Sequence, residues 1–164
     1  MKKISIFRTL LAVMLLAALF SCKKDKYTIE DKAVTGTVTY VNTGAVPIEV
    51  DPVTQQPLKM QFSFTGSGQI SDLGDLTLES SFIFDMVAGV GYDFVTTYTG
   101  SNADDSFSST GTSVMVGNMI FEITETINTG KGKFSKIEGG GGIHVELLQD
   151  GSSGTGDVAW TVTY

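Results

Sequence analysis

Residues 75–84 read DLTLESSFIF. Leu76, Leu78, Ser80, Phe82 and Phe84 fall on one parity, and Asp75, Thr77, Glu79, Ser81 and Ile83 on the other. Successive side chains of a strand point to opposite faces, so this stretch predicts a strand with one face toward a core. A helix would need apolar residues three and four apart, and that spacing is missing. Ser80 is the polar residue that interrupts the apolar row.

The same period continues on both sides. Upstream, Val34, Gly36, Val38 and Tyr40 alternate with Thr35, Thr37 and Thr39, and Met60, Phe62 and Phe64 with Gln61, Ser63 and Thr65. Downstream, Tyr92, Phe94, Thr96 and Tyr98 form a row, with Thr96 as its polar member; Val114 and Val116 form a short one. Phe121, Ile123 and Ile127 oppose Glu122, Thr124 and Thr126, and Ile143, Val145 and Leu147 oppose His144, Glu146 and Leu148. Val158, Trp160, Val162 and Tyr164 oppose Ala159, Thr161 and Thr163.

Turn-forming clusters separate these runs, among them Gly66-Ser67-Gly68, Asp72-Leu73-Gly74, Gly89-Val90-Gly91 and Asp150-Gly151-Ser152. Pro47, Pro52 and Pro57 argue against a helix in 42–58. The prediction is an all-β fold, a single antiparallel β-barrel of about eight strands over 33–164, with a β-sandwich as the alternative. Residues 158–164 either close the barrel, with Trp160 inside, or form an exposed edge strand.

The chain has 164 residues, with 11 Lys and Arg against 18 Asp and Glu. This acidic balance excludes a nucleic-acid partner, which needs clustered cations to displace phosphate counterions. It suits a soluble monomer. One cysteine and one histidine exclude a disulfide framework and a multi-His or Cys-rich metal centre. No cofactor is predicted.

The amino terminus reads MKKISIFRTLLAVMLLAALFSC over 1–22. Lys2, Lys3 and Arg8 precede an apolar run from Leu10 to Phe20 that is too short to span a bilayer, the pattern of a signal peptide over 1–21. Leu19-Phe20-Ser21-Cys22 resembles the lipobox of bacterial lipoproteins, which implies cleavage before Cys22 and acylation of its thiol and new amino group. Two or more acyl chains, at about 0.8 kcal/mol per buried methylene, would hold the protein on a membrane. Residues 22–32 would then be the lipidated cysteine and its tether. Lys23-Lys24-Asp25-Lys26 lacks an Asp directly after the cysteine and resembles the charged export signals of Bacteroidota lipoproteins. The implied location is the outer membrane of a Gram-negative cell envelope, on its periplasmic face or the cell surface.

Residues 129–142 read TGKGKFSKIEGGGG. Gly130, Gly132, Phe134 and Gly139 match the G-x-G-x-F-x-x-x-x-G segment of small calycin-like barrels of the allene oxide cyclase and dirigent type, which the chain resembles here. FTGSGQISDLGDLTLESSF (64–82) resembles the Gly-rich hairpin of uncharacterised secreted barrels of that group. The resemblance implies a barrel in which a strand turns through glycines and an aromatic plugs one end. It carries over no catalytic residue. Independently, glycine inside a strand pattern marks a bulge, a bend or a close backbone approach, and Gly139 to Gly142 are either that or a flexible loop.

Few residues suggest chemistry. His144 falls on the face opposite Ile143 and Val145, beside Glu146, which predicts an exposed strand histidine. Gly66-Ser67-Gly68 is too short for a nucleophile elbow. Asp150 and Asp157 bracket a Gly- and Ser-rich stretch without the pattern of a calcium loop, and Asp104-Asp105 reads as a solvated loop tip. The glycine runs are followed by strands, not by the helix a phosphate cradle needs. Tyr92, Phe94 and Tyr98 pack a core or stack on a ligand.

Two functions follow. One is a lipid-anchored, non-catalytic barrel that binds a small apolar ligand, a glycan or a protein partner, or serves a structural role in the envelope. The other is a barrel enzyme of isomerase or cyclase type acting on a lipid-like substrate. The interior discriminates: a cavity of roughly 300 Å³ or more with a few convergent polar groups favours ligand binding or catalysis, and a core filled by Phe, Leu and Val favours a structural or surface-interaction role. Ser80 and Thr96 are the candidate interior polar groups.

Overall fold

A computed structural model describes residues 30–164. The leader, Cys22 and the tether up to residue 29 lie outside the described residues. Each alternating run becomes a strand: β1 (Lys32–Val50), β2 (Pro57–Ile70), β3 (Gly74–Asp85), β4 (Val90–Gly100), β5 (Ser106–Gly117), β6 (Ile120–Lys131), β7 (Glu138–Leu147) and β8 (Ser153–Thr163). They form a closed barrel in sequence order, every neighbour antiparallel. Among the described residues the one helical element is a 3-10 turn, Gly132–Phe134.

Closure comes from β8, which pairs with β7 on one side and β1 on the other. Opposite Trp160 stand Val34 on β1 and Gly141 on β7. Trp160 is 2% exposed and packs edge-on against Tyr98 at 5.2 Å between centroids. Residues 158–164 are therefore integral to the barrel rather than a free edge, and the sandwich alternative does not hold.

The alternation gives the barrel two unlike ends. One carries the start of β1, the end of β8 and the connections 71–73, 101–105 and 132–137. This end is plugged. Phe134 is buried and meets Phe107 edge-on at 5.2 Å, while Leu73 and Ile137 join the same core cluster. The glycines make that plug possible. A Cβ at Gly130 would collide with the Phe134 carbonyl, and Gly132 has φ +59, with the next amide donating to Asp105 Oδ1 at 2.8 Å. Asp105 thus anchors the plug, whereas Asp104 stays exposed. Gly139 to Gly142 are not a loop. They lie within β7 and pair with both β6 and β8, at φ values of +126 and +147 for Gly139 and Gly140.

Three strands depart from the sequence reading. In β5 the buried side chains are Phe107, Ser109 and Ser113, and Val114 and Val116 are exposed. Phe107 sets the parity: it stacks on Tyr98 at 4.8 Å and lies 6.2 Å from Trp160, which sends the valine parity outward. In β4 a bulge lies between Gly91 and Phe94, with Asp93 at φ +51. It puts Gly91 and Phe94 inside, and Tyr92 leaves the row to pair with Ile83. β1 runs on through Pro47, where its partner is β2 alone. Its pairing with β8 ends at Val41, so the missing proline N–H interrupts no ladder on that side.

Candidate ligand site at the open end of the barrel

The opposite end carries the connections 51–56, 86–89, 118–119 and 148–152, and the inward rows below it bring the polar candidates together. Ser80 on β3 and Thr96 on β4 are cross-strand partners. Their hydroxyls are 3.0 Å apart and buried. Thr96 Oγ1 donates to Glu125 Oε1 at 2.9 Å, and Tyr98 OH donates to Glu125 Oε2 at 2.8 Å. Glu125 on β6 is 3% exposed. Its strand neighbours are Gly111 on β5 and Gly141 on β7, so neither residue directly opposite brings a side chain against it.

Burial pushes the Glu125 carboxyl above its ordinary range, and the hydrogen bonds from Tyr98 and Thr96 oppose that shift. Ser109 Oγ adds a smaller pull in the same sense, although it makes no hydrogen bond of good geometry. Tyr98 and Tyr40 are raised in turn, first by burial and then by the charge of Glu125.

Between this network and the open end lies an aromatic cleft, open to solvent, whose accessible space is about 40 Å³, well short of the roughly 300 Å³ that points to a ligand site. As it stands it has room for about three waters. Phe64, Phe82, Phe94, Phe121 and Leu147 wall it, with Tyr40, Ser80 and Ser113 also among its lining residues, and the surface it presents is apolar. Phe82 stacks on Phe94 at 4.4 Å and on Phe64 at 5.9 Å, so three strands present one continuous aromatic face. Ser113 is buried, and its Oγ has no hydrogen-bond partner among the described residues. Val53, Met86, Val87, Met115 and Leu148 stand exposed around the same end.

The remaining candidates lie elsewhere. His144 is on the outer face, with Nδ1 2.6 Å from Glu122 Oε1 and Nε2 3.5 Å from Glu146 Oε1. The Glu122 hydrogen bond raises its pKa. Asp150 caps its own loop through the Ser152 amide at 2.9 Å, while Asp157 sits within β8 and accepts from Thr37 at 3.3 Å. Among the described residues no group of His, Cys, Asp and Glu is arranged to hold a metal ion. Gly66-Ser67-Gly68 lies inside β2.

Chemically the arrangement is an apolar concavity, with the Ser80–Thr96 hydroxyl pair and the Glu125 carboxyl buried behind its walls. Glu125, Ser109 and Ser113 were not picked out from the sequence. For Glu125 the signal was parity alone, since it falls between Ile123 and Ile127 on the inward row, whereas the Val114–Val116 row put Ser109 and Ser113 on the opposite, outward parity. In comparisons with known proteins, no family model matches the chain and no curated protein matches it.

Proposed function

We propose that this chain is a lipid-anchored, non-catalytic β-barrel of the Gram-negative outer membrane that holds a small apolar ligand in its open end. The observation that carries the reading is the aromatic cleft of Phe64, Phe82, Phe94 and Phe121. Apolar walls favour an apolar molecule over a glycan, whose many hydroxyls would lose water without finding partners there. The other end is filled by Phe134, Ile137 and Trp160 and serves as scaffold.

The test uses the full chain and N-phenyl-1-naphthylamine, a fluorescent apolar probe. Saturable, one-site binding is expected, weakened about tenfold or more by Phe121→Ser. An absence of saturable binding overturns the reading. Intact-mass spectrometry of the membrane-purified chain checks the anchor: acyl mass on Cys22 is expected, and Cys22→Ala should abolish it.

One observation favours the second reading, a barrel isomerase or cyclase acting on a lipid-like substrate. Glu125 is a buried carboxyl with a raised pKa, joined through Thr96 to Ser80 at the cavity. Conversion of a bound substrate, lost in Glu125→Gln, would support it over simple binding.

A further inference from the structure

Val53 and Val87 are the most exposed large hydrophobic residues among those described, at 88% and 78%. Each stands in a connection at the open end, and the two turns are built alike. Asp51 Oδ1 accepts the amides of Val53 and Thr54 at 2.7 and 2.9 Å, and Asp85 Oδ1 accepts those of Val87 and Ala88 at 2.9 and 2.8 Å. The carboxylate fixes each turn, so the turn itself does not call for an exposed valine. Met86, Met115 and Leu148 are exposed on the same rim. Backbone hydrogen bonds of 2.8–2.9 Å tie the connections to the neighbouring strands around this rim: Met86 N–H donates to the Leu58 carbonyl, Met115 to Gly89, Leu147 to Met119 and Asn42 to Ser152. Single exposed apolar residues need no explanation, but a cluster of them marks a surface that another molecule covers.

Charge indicates which molecule. Of the five lysines over 30–164, Lys32, Lys131, Lys133 and Lys136 lie at the filled end. Lys59 alone lies near the rim, and Glu49 pairs with it at 2.6 Å. Asp51, Asp85 and Asp150 stand in or beside the open-end connections and make no ion pair among the described residues. Hydrogen bonds from the backbone amides of their own turns hold all three carboxyls below the ordinary range, which keeps them ionised.

We propose that the open-end rim docks a protein partner through an apolar segment flanked by lysine or arginine, with Val53 and Val87 against the apolar residues and Asp51, Asp85 and Asp150 beside the cations. The same carboxylates disfavour the other occupants. A bilayer with anionic headgroups attracts Lys and Arg and would repel these acids. A second copy placed rim to rim would set acid against acid. The contact is with the outside of the rim and needs no enclosed volume, so the proposal goes beyond the apolar-ligand reading and does not rest on it.

The experiment selects a random peptide library displayed on phage against the full chain. Selected peptides should carry a short apolar run beside Lys or Arg. Val53→Ser with Val87→Ser should weaken the synthesised peptides about tenfold or more. Val41→Ser with Val95→Ser, at exposed valines of the barrel wall, should leave their affinity unchanged. Asp51→Asn, Asp85→Asn and Asp150→Asn together keep each capping oxygen and remove the charge, and should weaken binding about three- to tenfold. Raising the salt to about 0.5 M should weaken binding to the native chain by a similar factor and to the asparagine variant much less. Selected peptides that are acidic or uncharged, an affinity that survives the two serines, or no selection at all overturns the proposal. Adsorption to phosphatidylcholine–phosphatidylglycerol vesicles that the serines abolish overturns it in favour of a membrane. A dimer in sedimentation that the serines dissociate overturns it in favour of a second copy.

Discussion

At the scale of single residues, Ser80 and Thr96 were legible because a polar residue in an apolar row is conspicuous, and the structure places their hydroxyls 3.0 Å apart. Glu125 was not, although its parity was inward. A carboxylate reads as solvent-facing because burying an unpaired charge is costly. The cost is lowered here by two donors, Thr96 and Tyr98, which come from β4, two strands away. No local pattern encodes that meeting. A carboxyl raised in the folded state binds its proton more tightly there than in the unfolded chain. Stability should therefore be highest below the ordinary glutamate range and fall as pH rises through the folded value of Glu125. His144, raised by Glu122, loses its contribution in the same direction, so the comparison belongs in a His144→Gln background. In that background, urea midpoints should fall as pH rises above the ordinary glutamate range with Glu125 present, and Glu125→Gln should flatten the fall. An unchanged slope would mean that Glu125 does not titrate in that window.

At the scale of elements, period two located every strand but not always its inward face. β5 shows why. Val114 and Val116 are apolar and correctly spaced, yet Phe107 wedges against Tyr98 and Trp160 and gives the interior to the serine parity. Hydrophobicity decides a face only when the two faces differ, and in β5 the aromatic partner decided it. The bulge at Tyr92 and Asp93 is likewise set by cross-strand register, as its neighbour β3 shifts between Ser81 and Ile83. β7 is the opposite case. Four consecutive glycines resemble a linker, but Gly140 at φ +147 passes so near the Glu125 carbonyl that a Cβ would collide with it. This is glycine selected for a close approach between strands. Gly140→Ala should cost about 1–3 kcal/mol from backbone strain, with further loss from the collision. Gly142 makes no comparable approach, and its φ is not positive, so Gly142→Ala should cost less. Thermal unfolding of the two variants tests the contrast, and equal losses would contradict it.

At the scale of the whole molecule, the open question in the sequence was whether eight strands stack as two sheets or join as one. Strand patterns are the same in both, because alternation reports one buried face and not what it is buried against. The difference rests on the pairing of the first strand with the last, more than a hundred residues apart. Here the register is continuous from Lys32↔Val162 to Val41↔Ser153. Trp160 sits in that seam, between Val34 and Gly141, and fills the core beside Tyr98 and Phe107. Trp160→Ala should cost about 3–5 kcal/mol, a large part of a typical stability of about 5–15 kcal/mol. Trp160→Phe should cost less, because the indole Nε1 makes no hydrogen bond that the change would break. Deletion of residues 153–164 acts at a different level. It would bare the edges of β1 and β7 together and uncover the core between them, leaving two rows of unpaired backbone that only a partner or aggregation could satisfy. The deleted chain should therefore show no cooperative urea transition by circular dichroism, whereas Trp160→Ala should keep one at a lower midpoint. The native indole should emit at short wavelength and resist quenching by acrylamide. A cooperative transition in the deleted chain would mean that the remaining seven strands hold a core without closure, and the seam would no longer account for the stability of the barrel.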